Sequence, residues 1–222
     1  MKNISHISLC YFFLVVLIGC DNTAIKNNPQ TLPFLGFYDI ETVEKNGQVT
    51  LDTIHHSIGP FYFTSHTGKA VTNETVMGKV YIADFFFTHC PSICPIMTQN
   101  MKRLHNKTKD IDELIILSHT IDPERDSLAR LNEYINLMGI NPRDDWYFLR
   151  GSSAYTYDIG KDEYLINADV DREAEGGFLH SEHFVLIDRD GHIRGMYEGT
   201  DTAEVNQLEK DLRLLISTYS ND

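Results

Sequence analysis

Residues 79–97 read KVYIADFFFTHCPSICPIM, and the rest of the fold can be placed around this stretch. Residues 80–87 within it are nearly all apolar and rich in β-branched and aromatic types, which is typical of a strand buried on both faces of a sheet. The sequence from Pro95 to about residue 107 predicts a helix directly after that strand. Cys90 and Cys94 therefore stand where a buried strand ends and a helix begins.

The cysteine count makes this pair distinctive. The chain of 222 residues contains four cysteines. Cys10 lies in the apolar run of an N-terminal secretory signal, and we expect it to be removed with that signal. Cys20 ends the sequence LIGC, which is similar to a bacterial lipobox, so we expect its sulfur to carry lipid. An uncleaved signal anchor is the alternative, although its apolar run falls short of the about 20 residues a spanning helix needs.

The N-terminal sequence and the net charge limit where the protein is located and which partners it can bind. Residues 1–19 have the parts of a lipoprotein signal peptide, residues 20–31 read as a flexible tether, and residues 32–222 fit one domain. A lipid on Cys20 predicts a membrane-anchored lipoprotein on the periplasmic or cell-surface side. The formal net charge of −13 argues against a nucleic-acid partner, which needs clustered Lys and Arg.

The pattern along the domain predicts an α/β fold. A short strand is expected near residues 34–38, and residues 61–72 predict a hairpin that turns at Gly68. Further strands are predicted at 114–117, 146–149, 184–187 and 193–197, and helices at 127–138 and 205–216. This order describes a thioredoxin-like fold, a central mixed sheet flanked by helices, with an N-terminal hairpin extension. An ordinary doubly wound fold is the alternative, but it gives no reason for the late hairpin at Asp190-Gly191.

The position of the thiol pair indicates reactive sulfur. A helix N-terminus favours thiolate, and we expect Pro91 at the first helical position, where its missing N–H costs nothing. Cys94 would then lie one turn after Cys90, within reach of a disulfide or of a shared metal ion. The CxxxC spacing differs from the CxxC of many oxidoreductases, which favours metal capture. A static disulfide is the alternative, although so short a loop removes little chain entropy.

Two thiolates make a soft site suited to Cu(I) or Zn(II), but two ligands are too few for a specific site. A histidine is the natural third ligand. His55, His56, His66 and His89 are weak candidates, and an exposed histidine is usually a surface residue. Met97 and Met101 are better explained as core residues than as ligands.

Three separated blocks carry a family resemblance: DFFFTHCPSICPIM (84–97), TIDPERDS (120–127) and HSEHFVLIDRDG (180–191). With them the chain resembles the SCO/SenC family of thioredoxin-like copper proteins that help to assemble the CuA centre of cytochrome c oxidase. The resemblance implies copper, as Cu(I) or Cu(II), held by Cys90, Cys94 and His180. His183 is the alternative histidine, and Leu179 stands where the family often has an acidic residue.

The resemblance also places Asp122 near the metal, where it could tune the thiols or touch a partner. The alternative is that Asp122 and Asp126 shape their loop and start the next helix. The implied function is a metallochaperone that delivers copper to the oxidase subunit carrying CuA, or to another copper enzyme. A thiol–disulfide oxidoreductase using Cys90 and Cys94 as a redox pair is the second hypothesis, and a peroxidase or redox sensor the third.

Overall fold

The structure is a computed structural model that describes residues 31–45, 47–166 and 181–219. The predicted signal peptide and all but the last residue of the predicted tether lie outside these ranges, as does His180. Among the helices of the described ranges, none combines the length and the apolar character needed to cross a bilayer.

The described residues form nine strands and five α-helices. The strands are β1 (Tyr38–Lys45), β2 (Gln48–His55), β3 (Tyr62–Ser65), β4 (Ala70–Thr72), β5 (Val80–Phe86), β6 (Leu114–Thr120), β7 (Trp146–Arg150), β8 (His183–Ile187) and β9 (Ile193–Glu198). The helices are α1 (Asn73–Val76), α2 (Ile93–Lys107), α3 (Leu128–Leu137), α4 (Ser153–Asp158) and α5 (Thr202–Tyr219), and a π-helical turn (Ile159–Glu163) continues α4.

Seven of these strands make one mixed sheet, in the order β4-β3-β7-β6-β5-β8-β9. The central strands β5, β6 and β7 run parallel, while β8 and β3 pair antiparallel to them. The helices cover this sheet, so β5 and β6 are buried at every position, which explains their unbroken apolar runs. The predicted α/β fold with a central mixed sheet is confirmed.

The helices bury the stripes that their periodicity predicts. The side chains of α5 buried against the sheet are Val205, Leu208, Leu212 and Leu215, and those of α2 include Met97, Met101 and Leu104. Ser127 caps α3 by accepting from the N–H of Arg130, and Gly139 with φ of +61° follows its end.

The predicted hairpin is β3–β4, and its turn glycine, Gly68, has the expected positive φ of +82°. The short strand expected at residues 34–38 is wrong, because only Tyr38 belongs to a strand. Instead β1 and β2 form a separate two-stranded arm that the sequence analysis did not predict. The signal was present: Asn46-Gly47 stands between two runs of alternating apolar and polar residues.

A short N-terminal segment, residues 32–35, joins this arm to the far edge of the sheet. Leu35 N–H donates to the carbonyl of Ile193 at the start of β9. The guanidinium of Arg194 donates to the carbonyls of Leu32 and Pro33 and forms an ion pair of 2.8 Å with buried Asp188. We refer to residues 32–35 as the N-terminal strap.

Candidate metal centre

The two cysteines lie where β5 passes into α2. Both are buried, with 6% of Cys90 and 1% of Cys94 exposed. The backbone turns tightly after β5, since Cys90 N–H donates to the carbonyl of Phe87 at 3.2 Å. Cys94 lies in the first turn of α2, one residue after the helix begins at Ile93. Placement at a strand–helix junction is as expected, and α2 starts two residues before the predicted Pro95. Pro91 precedes the N-cap residue Ser92, so the expectation that Pro91 occupies the first helical position is wrong.

The sulfur of Cys90 caps the N-terminus of α2. Ser92 occupies the N-cap position of α2 but makes no capping bond with its side chain. Cys90 Sγ instead accepts a hydrogen bond of 3.3 Å from the backbone N–H of Cys94. A sulfur that faces the positive end of a helix and receives an N–H is stabilised as thiolate. The arrangement makes Cys90 the more nucleophilic member of the pair.

Cys94 has the opposite environment. Its hydrogen bond with the side chain of Cys90 raises its pKa above the usual thiol value, and burial raises it further, with a smaller contribution from the charge of Asp84. The two sulfurs therefore differ: Cys90 Sγ accepts a hydrogen bond from the backbone N–H of Cys94, and the Cys94 thiol keeps its proton to higher pH. Binding any metal ion through both sulfurs must release the proton of Cys94.

The turn that leads to Cys90 is held by Asp126, which is fully buried. Its carboxylate accepts from the backbone N–H of Thr88 at 3.1 Å, from the hydroxyl of Thr88 at 2.5 Å and from the hydroxyl of Thr120 at 2.5 Å. Because Thr88 lies two residues before Cys90, Asp126 fixes the path of the turn that presents the sulfur. From the sequence we expected Asp126 only to shape its loop or to start the next helix, and Ser127, not Asp126, is the cap of α3.

Two basic side chains surround the same turn. Arg130 donates to the hydroxyl and carbonyl of Thr88, at 3.0 and 3.4 Å. His89 Nδ1 lies 3.1 Å from the Thr88 hydroxyl and 3.7 Å from Asp126, with 43% of the His89 side chain exposed. Each of these contacts runs to Thr88 or Asp126, so the basic groups reinforce the turn.

Asp122 is buried at the end of β6, but its contacts turn toward its own loop. Its carboxylate pairs with Arg125, and its carbonyl accepts from the N–H groups of Arg125 and Asp126. These contacts favour the loop-shaping alternative for Asp122. Its assignment to the surroundings of a metal is a prediction that they do not test.

The third predicted ligand, His180, falls outside the described residues. The alternative, His183, is the first residue of β8, is exposed, and has its Nδ1 3.0 Å from the hydroxyl of Ser181. Within the described ranges, His, Cys, Asp and Glu side chains nowhere gather in threes that could hold a metal ion.

Two of the weaker histidine candidates have structural partners. His56 Nε2 lies 2.7 Å from the carbonyl of Glu163, and His66 Nδ1 accepts from the N–H of Phe148 at 3.3 Å. Met97 and Met101 are buried in the core, as expected.

A buried acid beneath the cysteines was missed by the sequence analysis. Asp84 interrupts the apolar run of β5 and is 3% exposed, and that interruption was the available signal. The hydroxyl of Ser118 donates to Asp84 at 2.5 Å, and the indole N–H of Trp146 donates to Ser118. Burial raises the pKa of Asp84 to about 7, and the hydrogen bond from Ser118 opposes only part of this shift.

Comparison with known proteins adds the family context. The family model described as SCO1/SenC matches residues 50–216. A SCO1 protein homolog from Bacillus subtilis is 32% identical over 173 residues, which is 75% of this chain and 86% of that protein.

Solved structures give the same picture. A SCO1/SenC family lipoprotein from Bacillus anthracis superposes with a TM-score of 0.65 at 28% identity, covering 72% of this chain and 95% of that one. BsSco, described with a disulfide switch and as a member of the Sco family of cytochrome c oxidase assembly proteins, gives 0.64 at 29% identity (72% and 93%). ScoI from Bradyrhizobium japonicum, solved with copper bound, gives 0.56 at 26% identity (72% and 99%).

Proposed function

Because the chain belongs to the SCO1/SenC family, we propose that it is a copper-binding metallochaperone for the assembly of a respiratory oxidase. The observation that carries the proposal is the pair of buried cysteines at the start of α2, with Cys90 Sγ bonded to the N–H of Cys94. Related proteins of this fold are described as oxidase assembly factors or have been solved with copper bound.

The proposed copper ligands are the two cysteine sulfurs and the imidazole of His180. Two thiolates and one imidazole suit Cu(I), and Cu(II) accepts the same set with an added oxygen ligand. Loading releases the proton of Cys94, and His180 must be neutral, so copper affinity falls as the pH falls. Delivery would proceed by ligand exchange, in which thiolates of the oxidase subunit that carries CuA, or of another copper enzyme, replace Cys90 and Cys94 one at a time.

The proposed location is the outer face of a membrane. Cys20 would carry the lipid, residues 21–31 would act as the tether, and the domain would reach its partner on the periplasmic or cell-surface side. The description of the Bacillus anthracis relative as a lipoprotein supports this anchor.

An anaerobic copper titration of the reduced protein in detergent tests the ligand set, with a chelator competing for the metal. We expect one equivalent of copper to bind, and Cys90→Ser and His180→Ala to weaken binding by more than the roughly 10–100-fold typical of outer-shell changes. Sulfur-to-Cu(II) charge-transfer absorbance should weaken in both variants. His183→Ala is the matched control and should bind copper as the parent does.

Two results would contradict the ligand set. Full affinity in Cys90→Ser would exclude that sulfur, and a loss confined to His183→Ala would move the imidazole ligand to His183.

A second function is favoured by the unequal environments of the two sulfurs, and BsSco is described with a disulfide switch. In that role Cys90 thiolate attacks a partner disulfide, one partner thiolate leaves, and Cys94 then displaces the other. Cys94 gives up its thiol proton in the second displacement, so two electrons and one proton pass to the partner, which leaves as one thiol and one thiolate, while Cys90 and Cys94 form a disulfide. Absence of specific copper binding, together with a reduction potential near the about −270 mV of thioredoxin, would establish this role instead.

A further inference from the structure

The arm formed by β1 and β2 presents an apolar face that nothing in the described structure covers. Four large side chains on it are between 62% and 74% exposed: Tyr38, Ile40, Val49 and Leu51. An isolated two-stranded hairpin is marginally stable in water, so a hairpin of this length is stabilised by whatever covers its apolar side.

The register shows that these side chains share one face. Tyr38 pairs with His55, Ile40 with Thr53, Thr42 with Leu51 and Glu44 with Val49, and alternate positions of paired strands point the same way. Three carboxylates stand at the intervening positions, on the opposite face: Asp39, Glu41 and Asp52. The opposite face also carries Val43 and the 45% exposed Ile54, so the two faces differ in degree: four large apolar side chains and Glu44 on one, two apolar side chains and three carboxylates on the other.

The base of the arm is firmly held. His56 N–H donates to the carbonyl of Phe37, and Ile58 N–H donates to the carbonyl of Gly191 in the β8–β9 turn. The ring of Phe34 stacks on His55 with ring centroids 4.0 Å apart, and the guanidinium carbon of Arg194 lies 4.2 Å from the centroid of the Phe34 ring. The base of the arm is therefore fixed to the domain, on the side where the chain continues toward the N-terminus.

We propose that the apolar face of this arm docks onto the surface of the lipid bilayer, and this proposal rests on the membrane anchor included in the proposed function. Seventeen residues, 21–37, separate Cys20 from Tyr38 and reach at most about 60 Å when extended. The anchor would therefore keep the arm close to the bilayer. Aliphatic side chains with an amphipathic tyrosine suit the headgroup boundary.

Other occupants fit less well. A stable protein interface uses about 20–30 residues a side, and four large apolar side chains fall far short of this for a second copy of the chain. The carboxylates on the opposite face and the net charge of −13 disfavour an anionic surface, so the proposed target is a zwitterionic headgroup such as phosphatidylcholine.

Tryptophan quenching by brominated lipid tests the docking in the full anchored chain. The chain has one native tryptophan, Trp146, which is buried and 1% exposed. Leu51→Trp places a second tryptophan on the apolar face, and Thr50→Trp, the matched control, places it on the opposite face. In brominated phosphatidylcholine vesicles we expect a blue shift and a loss of fluorescence for Leu51→Trp and neither change for Thr50→Trp.

The outcomes separate the anchor from the docking. Flotation with the vesicles reports the anchor, and a chain that does not float contradicts both. A chain that floats while Leu51→Trp stays unquenched overturns the docking and leaves the anchor standing. A blue shift without quenching means that protein covers the face, which also overturns the proposal. Copper stoichiometry of both variants, measured in the same samples, reports independently on the proposed metal site.

Discussion

At the scale of single residues, the turn that presents Cys90 depends on the carboxylate of Asp126, which is distant from both cysteines in the sequence. Asp126 lies 36 residues after Cys90 along the chain but holds Thr88, two residues before Cys90. Sequence patterns are local, so they identified the thiol pair and could not show this long-range bond. The cap that Cys90 provides for α2 was equally hidden, because Ser92 is an ordinary N-cap residue type and makes no such bond.

We predict that Asp126→Asn weakens copper binding by about 10-fold, in the range typical of outer-shell changes around metal ligands. An amide has one acceptor oxygen, so one of the hydroxyl or N–H donors loses its partner and the turn before Cys90 loosens. Asp122→Asn is the control, because Asp122 pairs with the half-exposed Arg125 and holds only its own loop. Chelator competition measures both variants, and a larger loss in Asp122→Asn would contradict the assignment of roles.

At the scale of elements, long runs with a clear period were predicted well. The buried runs of β5 and β6 and the apolar stripes of α3 and α5 needed only composition and spacing. The arm of β1 and β2 was missed because its alternation breaks within each strand: Thr42 and Thr53 stand at apolar-face positions, and Val43 and Ile54 at the opposite ones. The π-helical turn after α4 was missed because five residues carry no usable period.

The turn of β3–β4 gives an element-scale prediction. Gly68 has φ of +82°, and a Cβ there would meet no atom within 4 Å, so the cost of a side chain is conformational alone. We expect Gly68→Ala to lower the free energy of unfolding by about 1 kcal/mol. Gly68→Asn should cost less, because asparagine tolerates the left-handed region. Chemical denaturation decides, and equal losses in both variants would contradict this explanation.

At the scale of the whole molecule, two buried titratable groups act on stability in opposite directions. Asp84 has a pKa of about 7 when folded against 3.8 in an unperturbed chain, so its stabilising contribution is present in acid and lost as the pH rises through 7. His119 lies between aromatic rings, stacked on Phe85 at 4.8 Å, and burial lowers its pKa to about 4. Its contribution is complete above pH 6.5 and lost as the pH falls toward 4.

We predict that Asp84→Asn stabilises the protein more at pH 8 than at pH 5, by about 3 kcal/mol, because the free energy of unfolding changes by 1.36 kcal/mol per pH unit from pH 5 up to the folded pKa of about 7. The asparagine oxygen can still accept from Ser118, so the hydrogen bond is kept. His119→Leu is the complementary variant and should raise stability more at pH 5 than at pH 8. Denaturation at the two pH values measures both, and parallel shifts at both pH values would rule out titration as the cause.

The N-terminal strap has a mechanical consequence. Any pull on the chain ahead of Leu32 is first resisted by the guanidinium of Arg194 and by the bond between Leu35 and Ile193. These contacts lie on β9, the edge strand, and β8 stands between that edge and β5. Tension from the N-terminal side therefore acts first on the edge strand β9, and β8 separates that load from the cysteine turn at the end of β5.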